Sequence, residues 1–229
     1  MNYFCVMIGI VVMLYSSCAN ARQLPIALSA APTHAALAAE LKDIADQAEY
    51  GESRSVRVHA ATTGRERAAQ CLATNRQDPA CLYYHAVLTG LYYELTIFGY
   101  QNGLKEMVSD ATRLIALDAA YADAGAYRIL GQLYTQVPQT SFRPGGVTRD
   151  LPKARGYLEK AIIVAPHHFE NHLALCETLV ALEDWPAAQP RCDHAEQLLA
   201  AQHTHPGYAE WRKAMTAAKK RLAKNTNDH

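Results

Sequence analysis

No charge of one sign dominates this sequence. Lys and Arg number 22 and Asp and Glu 22 in 229 residues, so the formal net charge is zero. Over the whole molecule there is no field to draw in nucleic acid or an anionic membrane. Cys-x-x-Cys is missing, which leaves thioredoxin-like chemistry and the common zinc ribbons without support. There is also no Gly-x-Ser-x-Gly elbow, no phosphate-binding Gly-rich Lys-Ser/Thr loop and no dinucleotide fingerprint. Gly145-Gly146 alone is a turn signal, and the paired carboxylates Glu183-Asp184 fall at an expected inter-helix turn, where acids cap and solvate. Nothing here nominates an enzyme, a cofactor or a metal.

What is present is a repeat. The segment Leu151-Pro152-Lys153-Ala154 moved by 34 residues falls on Trp185-Pro186-Ala187-Ala188, and the same shift carries Leu158 onto Cys192 and Ala161 onto Ala195. That period belongs to the tetratricopeptide repeat (TPR), a helix–turn–helix unit whose first helix reads aromatic-x2-Leu-Gly-x2-Tyr. Tyr127, Leu130, Gly131 and Tyr134 supply it, and His172, Leu175, Cys176 and Leu179 repeat it in degraded form. Two helices of this length cannot hide their apolar stripes alone, so stacked units bury a continuous core. The expectation is an all-α, TPR-like solenoid of about four units closed by a C-terminal capping helix.

The N-terminal apolar run, residues 3–15, is too short to span a bilayer comfortably and is followed by Ser16-Ser17-Cys18-Ala19-Asn20-Ala21. This predicts a secretory signal peptide over residues 1–21. Two processing readings stay open. Ala19-x-Ala21 fits cleavage before Arg22, whereas Leu14-Tyr15-Ser16-Ser17-Cys18 resembles a lipobox in which Cys18 becomes the acylated first residue. Either leaves Cys71, Cys81, Cys176 and Cys192 as an even set in an oxidising compartment. The repeat register pairs Cys71 with Cys81 across a short loop, and Cys176 with Cys192 on the facing helices of one unit. Alternatively, Cys176 and Cys192 are small buried thiols at positions where Ala is usual.

Residues 22–32 read as a flexible leader, 33–224 as the repeat domain and 225–229 as a tail. Thr33 caps a first helix with the stripe Leu37, Leu41, Ile44 and Ala48, and Gly51 ends it. A second helix over 54–76 is weakly interrupted at Thr62-Thr63-Gly64 and stops at Asp78-Pro79. The third, over 81–100, breaks at 99–103 and its partner covers 104–117. The unit beginning at Tyr121 carries an insert around 137–146, in which Phe142 and Arg143 are either partner-facing or part of a packed surface loop. The fourth unit covers 167–201, and Pro190 implies a helix that starts late or bends. Tyr208, Trp211, Met215, Ala218 and Leu222 form the stripe of the last helix, backed by Arg212, Lys213, Lys219, Lys220, Arg221 and Lys224.

His168 and His172 have the i, i+4 spacing of two metal ligands, but His172 occupies the aromatic anchor position of its repeat, which makes it a core histidine. The first helices of successive units line the concave groove. The register projects Tyr84, Val87 and Leu91, then Arg128 and Gln132, then Glu170, Leu173 and Glu177 onto it. Arg128 would anchor a partner's carboxylate by bidentate pairing, unless it pairs internally with Glu170 or Glu177.

The Pro-containing insert, followed by Gly145-Gly146-x3-Asp150-Leu151-x-Lys153-Ala154 and by Tyr157-Leu158-Glu159-Lys160-Ala161 ending at Ala165-Pro166, resembles exported bacterial repeat proteins. Among these the chain is similar to the T-component of tripartite ATP-independent periplasmic (TRAP) transporters. The resemblance implies a periplasmic, often lipid-anchored helical protein that docks the transporter's substrate-binding protein, with a small apolar ligand inside. A different expectation is a TPR scaffold for cell-envelope assembly holding a peptide in its concave groove. A more remote one is a metal-binding protein or hydrolase built on residues 167–172.

Overall fold

The computed structural model describes residues 33–96, 99–141 and 144–227. The expected signal peptide, the leader, Cys18, Phe142 and Arg143 lie outside these residues. Among the described residues there is no strand, and nine α-helices follow one another: α1 (His34–Tyr50), α2 (Arg54–Thr74), α3 (Pro79–Thr96), α4 (Tyr100–Leu117), α5 (Tyr121–Gln136), α6 (Leu151–Val164), α7 (Phe169–Ala181), α8 (Trp185–Leu199) and α9 (Tyr208–Asn227). None is long and apolar enough to cross a membrane.

Caps set several boundaries. The hydroxyls of Thr33 and Ser53 accept from the amides of Ala36 and Val56. Asp78, Asp150 and Asp184 do the same for Cys81, Lys153 and Ala187, each satisfying a backbone donor that the first turn leaves unpaired. Every helix packs on the next, and α1–α3, α3–α5, α5–α7 and α7–α9 pack as well. The odd-numbered helices therefore form one continuous layer, a helical-repeat-like arrangement.

Fully buried leucines hold the layers together: Leu41, Leu82, Leu88, Leu114, Leu130, Leu158, Leu175 and Leu179. Small residues let them interlock. A Cβ on Gly131 would lie 2.3 Å from Leu158, so the expected small position of the repeat is where α6 enters α5. Gly64 does the same for Ile44 and Leu88, with approaches of 2.5 and 2.8 Å. This corrects the expected interruption at Thr62-Thr63-Gly64, because α2 runs unbroken and its glycine is a contact point rather than a break.

Three other boundaries differ. The fourth helix starts at Tyr100 rather than 104, because Gly99, at φ 77°, turns the chain and Gly103 packs inside the helix against the Tyr93 ring. Pro190 lies within α8, which begins at Trp185 without delay. Both Pro186 and Pro190 are exposed, so the carbonyl left without its helical donor faces water. The last helix continues to Asn227, past the expected end at 224, since no Gly or Pro stops it.

The four cysteines form Cys71–Cys81 and Cys176–Cys192, with Cα separations of 6.2 and 4.8 Å. Both fall in the range that a disulfide spans, and two such bonds point to an oxidising compartment. The insert is pinned rather than loose at its C-terminal half. Gln101, buried in α4, donates to the carbonyl of Val147 (3.2 Å) and accepts from its amide (2.9 Å), and the Asp150 amide donates to the Tyr134 carbonyl (3.0 Å).

Candidate functional site

The first turn of α5 is left-handed. Ala122, Asp123 and Ala124 have φ of 50°, 54° and 63°, a conformation that costs a non-glycine residue about 1–2 kcal/mol each. Side chains from two helices hold it. The Asp123 carbonyl accepts from Arg128 Nη1 (3.3 Å) and from Asn171 Nδ2 (3.1 Å), and the Asp123 carboxylate lies 3.4 Å from His168 Nδ1.

Arg128 is the centre of this node. Its Nη1 donates to Asn171 Oδ1 (3.0 Å), its Nη2 to the Tyr83 hydroxyl (3.3 Å), and its Nε lies 3.0 Å from Glu170 Oε2. Arg128 is 6 % exposed and Asn171 0 %. Of the two readings open for Arg128, a partner's anchor or an internal pair with Glu170 or Glu177, the structure shows the pair with Glu170. Among the groove residues named from the sequence, the structure joins Arg128 and Glu170. Tyr84 is half-buried and sits edge-on to Tyr83 at 5.0 Å, while Tyr83 lies 5.7 Å from Tyr121. Burial raises the hydroxyl pKa of all three tyrosines. Gln132 and Glu177 are half-buried and stand apart from the node among the described residues.

Two carboxyl groups are shifted toward the neutral form. Burial alone pushes Glu177 above the usual carboxylate range. Glu49, an exposed residue, is also raised, first by desolvation and less by Glu170, Asp46 and Glu94, against a lowering hydrogen bond from Tyr50. Glu49 was not foreseen, because it comes from α1 at the far end of the chain from Glu170.

Tyr50 reveals why those ends meet. Its ring is edge-on to His205 at 5.7 Å, His205 stacks on Trp211 at 4.4 Å, and Trp211 lies 5.1 Å from Phe169. A Cβ on Gly207 would come 2.9 Å from the Tyr50 hydroxyl. The first helix thus touches the segment that enters α9. A separate cavity of about 330 Å³ is lined by Thr62, Arg65, Glu66, Ala69, His85 and Tyr92. There His85 Nδ1 donates to the buried Asp110 carboxylate at 2.6 Å.

His172 is a core residue, as its repeat position predicts. It is 2 % exposed, its Nε2 donates to the Pro166 carbonyl (2.7 Å), and its Nδ1 has no partner. Burial holds His172 below the usual histidine range, and His194, Arg191 and His167 add to the lowering against the Pro166 bond. His168 is lowered by burial and then by Arg128. Below about pH 6.5 the unfolded chain takes up protons on these histidines while the fold refuses them, so stability falls as pH drops from there toward the depressed folded values. Glu49 and Glu177 act in the opposite sense nearer the carboxylate range, where their protonation favours the fold. His172→Phe, which keeps the aromatic anchor and removes the titrating group, is expected to lose less urea midpoint than wild type between about pH 7.5 and 5.5. An equal loss in the two proteins would assign the acid sensitivity elsewhere.

The fold and this node define an all-helical, repeat-like protein with a polar node of Tyr83, Arg128, Glu170 and Asn171 between its helices. The chain matches no known protein-family model and no curated protein.

Proposed function

We propose that this chain is an exported, non-enzymatic TPR-type interaction module that works in the periplasm. In this reading its inner face receives part of another protein, in the way expected of a TRAP transporter T-component docking its substrate-binding protein. The observation that carries the proposal is the continuous layer α1–α3–α5–α7–α9, which carries the half-buried Tyr84 and Glu177. The Glu177 carboxylate, raised by burial alone, fits a cationic segment of the partner, which would relieve it. The 34-residue register, the small residue at the α5–α6 crossing and the two disulfides support the TPR and export parts of the reading.

Crosslinking in intact cells followed by mass spectrometry tests it. Wild type, Glu177→Ala with Tyr84→Ala, and a deletion of residues 139–145 are compared. Capture of a periplasmic solute-binding protein, reduced several-fold by the double substitution or by the deletion, is the expected result. Envelope-assembly proteins captured in its place, through the same two side chains, would favour a peptide-holding scaffold instead.

A further inference from the structure

The two disulfides lie in different chemical surroundings. Cys176–Cys192 sits in an apolar cluster with Leu175, Leu179, Ala188 and Ala195. Cys71–Cys81 has ligating groups beside it. The two sulfurs and a carboxylate oxygen of Asp78 all lie within 4.8 Å of one another, and all three residues are buried. No other such trio of His, Cys, Asp or Glu occurs among the described residues. Asp78 is fixed at both oxygens: Oδ1 accepts from the Cys81 amide (3.0 Å) and Oδ2 from His34 Nδ1 (2.7 Å). His34 opens α1 with its side chain 57 % exposed, so its imidazole has room to turn.

We propose that reduction of Cys71–Cys81 converts this corner into a zinc site with Cys71, Cys81, Asp78 and His34 as its four ligands. Two thiolates, an imidazole and a carboxylate suit four-coordinate Zn²⁺, and the thiolates disfavour the hard cations Mg²⁺ and Ca²⁺. The Cys81 amide on Asp78 is the kind of outer contact that orients a ligating carboxylate.

A dithiol reductant supplies the two electrons. The sulfur–sulfur bond breaks, Cys71 and Cys81 become thiols, and the reductant closes into its own disulfide. Zn²⁺ then displaces one proton from each thiol into solvent. Two sulfurs at about 2.3 Å from one zinc stand roughly 3.7 Å apart, a separation that Cα atoms 6.2 Å apart accommodate by side-chain rotation. The joint between α2 and α3 thus has two alternative staples, a covalent one when oxidised and a metal one when reduced.

The test is anaerobic titration of the whole reduced chain with Co²⁺ and then Zn²⁺. One Co²⁺ per chain with thiolate-to-cobalt charge-transfer absorption, displaced by Zn²⁺, is expected, and the oxidised chain should give no such band. His34→Ala and Asp78→Asn, the latter keeping an N-cap, should each weaken Zn²⁺ binding by about 10-fold or more. The proposal is overturned if the reduced chain shows no band, or if both substitutions leave affinity unchanged. It also fails if the band survives in Cys71→Ser/Cys81→Ser, which would place the metal at the other pair. A reduced chain that loses its helical circular dichroism and does not regain it with Zn²⁺ counts against it equally.

Discussion

Replacing Arg128 with alanine is expected to cost the fold about 3 kcal/mol, the low end for removing one partner of a buried ion pair, because Glu170 keeps partial access to water. The substitution would strip four acceptors at once: Glu170, Asn171 Oδ1, the Tyr83 hydroxyl and the Asp123 carbonyl. Asn171 is fully buried and has no access to water that could replace the lost donor. The left-handed turn at Ala122–Ala124 would also lose one of the two donors on the Asp123 carbonyl, leaving Asn171 there.

Urea unfolding distinguishes this structural role from that of a ligand-binding cation on a solvated face. A surface arginine reserved for a partner would change stability by no more than about 0.5 kcal/mol. Removing Glu170 together with Arg128, as Arg128→Met/Glu170→Gln, should destabilise less than Arg128→Ala alone, because no unpaired carboxylate is left and the methionine refills volume. If the double variant is the worse of the two, the Glu170 contact is not what makes Arg128 matter.

Local signals carried most of the architecture. The 34-residue register located α5 to α8 because each unit repeats the same small and bulky positions, and the Thr33, Asp150 and Asp184 caps stood directly before apolar periodicity. Gly64 misled because a glycine at a helix crossing and a glycine at a helix break look alike until Ile44 and Leu88 are seen against it. For Arg128 the sequence left two roles open, and the pair with Glu170 was one of them. Its register places it on the inner helix, whereas its burial depends on Asn171 and on an unusual turn that nothing in Ala122-Asp123-Ala124 announces. The contact of Tyr50 with His205 and Gly207 was not legible at all. It joins the end of the first helix to the segment before the last, which no short window of sequence contains.

Loss of the Cys176–Cys192 bond is the second large effect. Its ends are 16 residues apart, and closing a loop of that size in the unfolded chain is worth about 3 kcal/mol in the chain-entropy model. Both cysteines are 0 % exposed, so Cys176→Ala/Cys192→Ala also removes two packed sulfurs from the cluster built around Leu175, Leu179 and Leu199. For a domain of this size, about 3 kcal/mol corresponds to a fall in Tm of roughly 6–12 °C. Treating wild type with a reductant opens Cys71–Cys81 as well, so the informative comparison is the reductant response of the variant. It should keep only the smaller fall due to the Cys71–Cys81 bond, whose loop of 10 residues is worth slightly less, about 2.7 kcal/mol. If the alanine pair instead melts where wild type does, the two sulfurs fill alanine positions of the repeat without cross-linking it, and the stability of the fourth unit comes from packing alone.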